Sequence, residues 1–354
     1  ISVDSTAKCI SLKHNDKFIS MTLDYLLACD GSHSMVRQSL GVNINTEPLQ
    51  TFVSFTVHSD LRAYVSEQAL LYWLYHRDVR CCVVAHDLSC YQVVQIPIFP
   101  PYESLDDYPK ERLLALLRAL TADSDFKAEI TEVSQWAMSS FVVDSMEYDW
   151  VYLAGDAAHT MTPAGGLGLN TALADIYNIV WKIAHCLQHP LSRHLSTYQL
   201  ERHPVALTNV KYAYDNYIDF LRPAAAIGLD VRLAPVLSSY QQSCRKYLPQ
   251  EYAGYLADTV TWPMKSMYDF VQMNNPLSFA VKQNMIGKIK NNAEHFAGLD
   301  QHLGFCYQDS YLVAKNQQSI DCYFKHGCRL PLVYIQSKDA KWQPLTTFLS
   351  YNKW

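Results

Sequence analysis

The sequence predicts an α/β (α+β mixed) fold, in which a strand–turn–helix unit is joined to a mostly antiparallel sheet and a helical C-terminal part. Three observations predict it. The run "WVYLA" (Trp150 to Ala154), the glycine-rich stretch "GDAAHTMTPAGGLGLN" (Gly155 to Asn170) and the Pro-free apolar run from Leu169 to Leu187 follow one another directly. That order reads as buried strand, turn and buried helix. Between Thr51 and Phe99 the chain alternates aromatic and β-branched residues with polar ones, the period of strands. Beyond Leu187 the pattern is mainly helical, most clearly in "STYQLERHPVALTNVKYAYDNYIDFLRP".

Taken in order, "AKCISLKH" and "KFISMTLDYLLACD" read as the strands of a hairpin leading into a further strand that ends at Asp30. "TFVSFTVHSDL", "ALLYWLYHR", "RCCVVAHD" and "CYQVVQIPIF" are strands separated by polar turns, so an antiparallel sheet is expected. "PPYESLDDYP" is a loop, and "KERLLALLRALT" (Lys110 to Thr121) is an amphipathic helix. "EITEVSQWAMSSFVVD" returns to strand. The helix from Leu169 to Leu187 is apolar nearly all round and is expected to be buried.

Composition narrows the functional classes. The chain of 354 residues is 49% hydrophobic and 18% charged, ample for a sizeable core. A net charge of −5 and no basic cluster give no reason to expect nucleic acid. No apolar run reaches the ~18 residues of a membrane span, so no membrane partner is expected. The ten cysteines show no CxxC or CxxH spacing, which argues against a metal site and for reduced thiols in a cytoplasmic protein.

Two motifs carry chemistry. In "LLACDGSHSMVR" (Leu26 to Arg37) a strand delivers Asp30 and Gly31 to a helix mouth that holds Ser34 and Arg37. A carboxylate there suits ribose or pyrophosphate-bound water, and Arg37 suits a phosphate. The same pattern also reads as an Asp-Gly turn leading into a capped helix. In the second motif four of the chain's twelve glycines crowd between Gly155 and Gly168. Asp156 is placed to hold a polyol hydroxyl, Pro163 stiffens the loop, and Gly165, Gly166 and Gly168 let backbone lie against a flat ring. The Leu169 and Asn170 amides open the helix toward developing negative charge. Without a ligand, the stretch reads as a tight strand-to-helix turn.

Together the motifs resemble the Asp-Gly and Gly-Asp fingerprints of the single-component flavoprotein aromatic hydroxylases, the p-hydroxybenzoate hydroxylase and phenol hydroxylase family. Gly155, Asp156, Ala157, Ala158, His159, Pro163, Gly165, Gly166, Gly168, Asn170, Asp175, Asn178, Trp181 and Lys182 match the second fingerprint, and "TYQLERHPVA" matches a later helix. Thr171-Ala172 and Ile176 depart from it without leaving helix-compatible chemistry. The resemblance implies a p-hydroxybenzoate hydroxylase-like FAD-binding fold with an incomplete Rossmann-type part, a substrate-domain sheet and a helical C-terminal part. Its expected divisions are a partial FAD-binding domain over 1–47, a substrate-binding sheet domain over 48–147, and the FAD-binding domain continued over 148–225. A helical region and linker over 226–330 and the start of a truncated thioredoxin-like domain over 331–354 complete them.

The implied cofactors are FAD and NADPH, and the implied partners a small aromatic substrate and dioxygen, with a homodimer as an assembly the family allows. The implied reaction hydroxylates a phenolic or other electron-rich aromatic through a flavin hydroperoxide. By resemblance Asp30, Gly31 and Arg37 lie near the FAD, with Asp30 and Arg37 linked to both flavin and NADPH binding, and Asp156 holds the ribityl chain. Gly155 is implied as cofactor-binding too, the loop carrying Pro163, Gly165, Gly166 and Gly168 passes beside the ring, and the Leu169 and Asn170 amides face its pyrimidine end. For His159, Asp175, Trp181 and Lys182 packing and helix support are expected, and Glu201 with Arg202 is expected as a structural pair. Tyr72, Tyr75, His86 and Tyr91 are expected as ordinary strand residues, so the catalytic residue stays unassigned.

No GxGxxG occurs in the 354 residues. The sequence is therefore expected to be an internal piece, or a degenerate copy, of a longer enzyme. A catalytically incompetent remnant and a flavin oxidoreductase that does not hydroxylate remain as alternatives.

Overall fold

A computed structural model describes residues 1–225 except 5, 16, 45–48, 78, 101 and 102, together with 266, 268–292, 305–307, 310, 334–336 and 342–344. The chain divides into two compact units. The first comprises Ile1–Ile44, Phe141–Ala213 and Phe296–Trp354, and the second comprises Asn45–Ser140 and Tyr214–His295.

The first unit begins with β1 (Ser2–Asp4), β2 (Cys9–His14), β3 (Lys17–Thr22), β4 (Leu26–Ala28) and α1 (Met35–Ser39). Strands β2 and β3 form the expected hairpin, paired from Cys9↔Thr22 to His14↔Lys17. The second unit follows with β5 (Gln50–His58), β6 (Leu71–Tyr75), β7 (Arg80–Asp87), β8 (Tyr91–Ile98), α2 (Lys110–Thr121) and β9 (Glu129–Met138). These five strands make one antiparallel sheet in the order β6-β7-β8-β5-β9. Their alternation gives one face to the core, where Val53, Phe55 and Val57 meet Val94, Ile96 and the buried Leu113 and Leu117 of α2. Helix α2 keeps the limits its amphipathic pattern sets and ends on Ala122 in the left-handed region, φ 53°.

The chain then returns to the first unit through β10 (Phe141–Val142), β11 (Glu147–Tyr148), β12 (Val151–Leu153), β13 (His159–Thr160), α3 (Gly168–Gln188) and the part of α4 (Thr197–Ala225) up to Ala213, the rest of α4 belonging to the second unit. The fully buried β12 pairs in parallel with β4, matching Val151 with Leu26 and Leu153 with Ala28. Pairing continues past both strands, because the Ala154 amide donates to the Ala28 carbonyl at 3.0 Å. Helix α4 is pinned beneath β12 by Tyr198, whose hydroxyl donates to the Leu153 carbonyl at 2.9 Å. Its Gln199 accepts from the Met146 amide at 2.6 Å. Trp150, Val151, Leu153, Ile179 and Tyr198 form the centre of this core.

The helical region expected over 226–330 is described at α5 (Pro276–Asn292) and a few neighbouring positions. The thioredoxin-like start expected over 331–354 is described only as an antiparallel pair, β14 (Tyr334–Gln336) with β15 (Trp342–Pro344). The rest of both stretches lies outside the described residues. Among the described residues no helix is long and apolar enough to cross a membrane.

Helix α3 corrects the expectation of a helix buried all round. Its buried positions are Thr171, Asp175, Asn178, Ile179, Lys182 and Cys186, whereas Leu169 is 74% and Tyr177 79% exposed. Leu173, Val180, Trp181 and Leu187 are exposed as well. The physical reason is that the buried polar side chains all find partners in this unit, described below.

Candidate functional site

Parallel pairing of β4 with β12 sets the C-terminal ends of both strands side by side, so the two sequence motifs leave the same end of one small sheet. After β4 the chain turns at Gly31 with φ 82°, and Ser34 caps α1, its hydroxyl accepting from the Arg37 amide at 2.9 Å. Asp30, itself exposed, holds that same helix mouth. One oxygen accepts from the Ser34 hydroxyl at 2.5 Å and the other from the Val36 amide at 3.1 Å.

After β12 the chain makes a 3-10 turn over Gly155–Ala157 that exposes Asp156 between buried Gly155 and Ala157. No hydrogen bond to the Asp156 carboxylate is formed among the described residues, so it points outward as an available acceptor. Gly155 has φ 58°, and a Cβ there would come within 3.1 Å of the Ala172 Cβ. The turn thus requires glycine both for its backbone and for close passage against α3.

Arg37 ties the motifs together. Its guanidinium is buried, with Nη1 donating to the Ala157 carbonyl at 2.9 Å and Nη2 to the Ser32 carbonyl at 2.6 Å. The Phe141 ring centre lies 5.1 Å from its central carbon. Burial pulls its pKa down, with the nearby Asp30 charge opposing. Both terminal nitrogens are therefore committed to backbone of the two turns.

The loop onward carries exposed Pro163, then Gly165 and Gly166 with φ 118° and 66°. Helix α3 opens at Gly168 with Leu167 as N-cap and no side-chain cap, so the Gly168, Leu169 and Asn170 amides are left for an outside acceptor. A Cβ added at Gly166 would meet nothing within 4 Å. An exposed carboxylate, an uncapped helix mouth and open glycine backbone fit the ribityl and ring end of a flavin.

Beneath the turn lies a buried charged network. Asp175 accepts from the Gly155 amide at 3.1 Å and pairs with His159 Nε2 at 2.6 Å through one oxygen, and with Arg202 Nε at 2.7 Å through the other. Glu201 accepts from Lys182 at 2.7 Å, Asn178 at 2.6 Å and Ser310 at 2.5 Å. Arg202 also donates to the Tyr307 hydroxyl at 3.2 Å. Glu201 and Arg202 are thus not a pair with each other. Adjacent helix residues point in different directions, so each binds its own partner on α3. Burial works to raise the Asp175 and Glu201 carboxyls. The His159 and Arg202 interactions hold Asp175 below the usual carboxylate range, and the bonds from Asn178, Lys182 and Ser310 do the same for Glu201. Burial lowers Lys182, with Glu201 opposing.

In the second unit Tyr72 closes its own loop, its hydroxyl donating to the Glu67 carbonyl at 2.8 Å, and Tyr91 packs between His58 and His86. Burial raises the Tyr75 hydroxyl, with Arg80 opposing. Among the described residues no cluster of His, Cys, Asp or Glu could hold a metal.

The sequence reading did not anticipate Tyr307 and Ser310 as partners of the network. The polar stripe that needs such partners was visible, since Thr171, Asp175, Asn178 and Lys182 recur on one helical face.

With this geometry in place, comparison with known proteins defines the class. The family model described as "FAD binding domain" matches residues 4–213, and the chain belongs to that family. A putative polyketide hydroxylase of Streptomyces coelicolor is 30% identical over 223 residues, which is 61% of this chain and 35% of the relative. The 2,4-dichlorophenol 6-monooxygenase of Delftia acidovorans is 27% identical over 227 residues, 60% of this chain and 38% of the relative. The chain therefore spans little more than a third of these relatives. Among solved structures, the flavin-dependent monooxygenase PieE shares the fold at TM-score 0.73 and 20% identity, over 98% of this chain and 58% of that one. Aklavinone-11 hydroxylase, solved with FAD and aklavinone, aligns at TM-score 0.54 and 26% identity over 60% of this chain and 41% of its own.

Two outcomes follow from this geometry. Gly155→Ala should lower stability by roughly 1–2 kcal/mol from the left-handed backbone alone, with further loss from the Ala172 contact. Ala172→Gly alone measures the helix cost of roughly 1 kcal/mol, and relative to that variant Gly155→Ala should cost only the backbone part, as read by denaturant midpoints. Because Asp175 and Glu201 bind protons less readily folded than unfolded, the stability they give is complete above the ordinary carboxylate range near ~4. It should be lost as pH falls through their depressed values. Melting temperature measured from pH 7 downward should drop steeply in acid for the wild type. In Glu201→Gln it should start lower and fall less.

Proposed function

We propose that the protein is an FAD- and NADPH-dependent monooxygenase that hydroxylates a phenolic or other electron-rich aromatic substrate with dioxygen. The observation that carries this reading is the convergence of the two motifs at the C-terminal end of the paired strands β4 and β12, with Arg37 bridging to Ala157. Relatives named as a polyketide hydroxylase and a 2,4-dichlorophenol 6-monooxygenase support the reaction class.

FAD, when bound, supplies the redox chemistry that activates dioxygen. The chain's own contribution is placement. Asp156 accepts hydrogen bonds from the ribityl hydroxyls. Gly165 and Gly166 let backbone approach the ring closely. The Gly168, Leu169 and Asn170 amides, at the positive end of α3, stabilise negative charge at the pyrimidine end of the ring. Asp30 and Arg37 act on the cofactor at one remove, by fixing the α1 mouth and the Ala157 turn.

Asp156→Ala should weaken binding of FAD or riboflavin by about tenfold, because a hydrogen bond to a charged group contributes roughly 1.5–3 kcal/mol. Flavin fluorescence titration reads this, and unchanged affinity would remove Asp156 from the site. In the longest polypeptide containing these residues, added phenols should accelerate NADPH oxidation, with one atom of labelled dioxygen entering the product. Phenol-independent turnover that yields only hydrogen peroxide across a panel of aromatics would contradict the hydroxylase reading.

A further inference from the structure

We infer that Asp175 is the positioning residue of the flavin site, holding the turn that presents Asp156 in fixed relation to the mouth of α3. The inference rests on the proposed flavin function and adds a residue that touches no ligand. Asp175 lies at the heart of the first unit with 0% of its surface exposed. A purely charge-balancing role would need only the Arg202 contact at 2.7 Å. Its other oxygen instead takes two groups from the turn, the Gly155 amide at 3.1 Å and His159 Nε2 at 2.6 Å. These two residues bracket Asp156, so one oxygen staples both arms of the turn that carries it.

The opposite side of the carboxylate reaches the helix mouth. Arg202, held by Asp175, donates through Nη2 to the Thr171 carbonyl at 3.2 Å. Thr171 closes the first turn of α3, its amide and its hydroxyl both donating to the Leu167 carbonyl at 2.9 and 2.8 Å. The Asn209 amide fixes the same hydroxyl at 3.0 Å. One carboxylate therefore links the acceptor meant for the polyol to the amides meant for the ring. Against an ionised carboxylate the His159 nitrogen facing it carries the proton, and its buried Nδ1 has no hydrogen-bond partner among the described residues. The His159 ring is thus oriented by Asp175.

Replacing Asp175 would strand the buried Arg202 charge and risk unfolding, so His159 is the better probe. His159→Phe keeps the ring volume and removes one staple. His159→Gln keeps a donor. Riboflavin titration of the 354-residue chain, its melting temperature, and hydrogen exchange of the peptide spanning 154–160 are measured on all three proteins. We expect His159→Phe to bind riboflavin about tenfold more weakly and to exchange at least tenfold faster in that peptide. The α2 peptide should be unchanged, and His159→Gln should recover most of both effects. Equal affinity and exchange in wild type and His159→Phe would overturn the inference, as would equal loss in the Phe and Gln variants. If even the wild type shows no riboflavin binding, the flavin function fails. The exchange measurement still decides whether Asp175 and His159 hold the turn.

Discussion

Everything placed at the candidate site follows from one short parallel pairing, three residues of β4 against three of β12. The strands are too short to be stable by their own ladder. They persist because β12 is buried on both faces, with Trp150, Val151, Leu153 and Tyr198 around it. Parallel strands are normally buried in this way. The pairing converts two motifs remote in sequence into neighbours, and the Arg37 bond to Ala157, 120 residues away, is its direct consequence. Without that register the Asp30 mouth and the Asp156 turn would have no fixed relation.

The second constraint is electrostatic. Placing Asp175, Lys182, Glu201 and Arg202 together in an interior is costly unless every charge is paired and hydrogen-bonded. Here each acid has a base and further donors, and the partners come from α3, α4 and the segment around Tyr307 and Ser310. Such a network gives little net stability relative to a hydrophobic core, but it is specific. Its pairings tie together α3, α4 and the residues Tyr307 and Ser310. The same constraint explains the polarity of α3. Its polar stripe must face the network, which leaves Leu169, Leu173 and Tyr177 on the solvent side.

Local patterns were legible in the sequence. The alternation from Thr51 to Phe99 gave strands whose antiparallel order needs only short turns, and α2 kept its limits because its amphipathic pattern is sharp and its flanks carry Pro109 and a terminating turn. The adjacency of the two motifs was legible through resemblance, and the β4–β12 register shows its physical basis. The facing of α3 was misread because abundant apolar residues masked the regular polar stripe, which gains meaning only with partners distant in the chain. The pairing of Glu201 and Arg202 failed for a related reason. Closeness in sequence was read as contact, although helix geometry points consecutive side chains apart.

Two aspartates that look alike in the motifs end in different roles, and backbone context decides between them. Asp30 sits ahead of a five-residue helix whose amides need an acceptor, and its exposed carboxylate accepts from the Ser34 hydroxyl and the Val36 amide. Asp156 sits inside a 3-10 turn whose own needs are met elsewhere. The Ala158 amide goes to the Gly155 carbonyl, Ala157 accepts from Arg37, and the Gly155 amide goes to Asp175. Because buried neighbours satisfy the turn, the Asp156 carboxylate has no local work and stays outward. The buried charges thus act on the surface indirectly: by meeting the backbone's demands from below, they leave the exposed Asp156 carboxylate without a hydrogen-bond partner among the described residues.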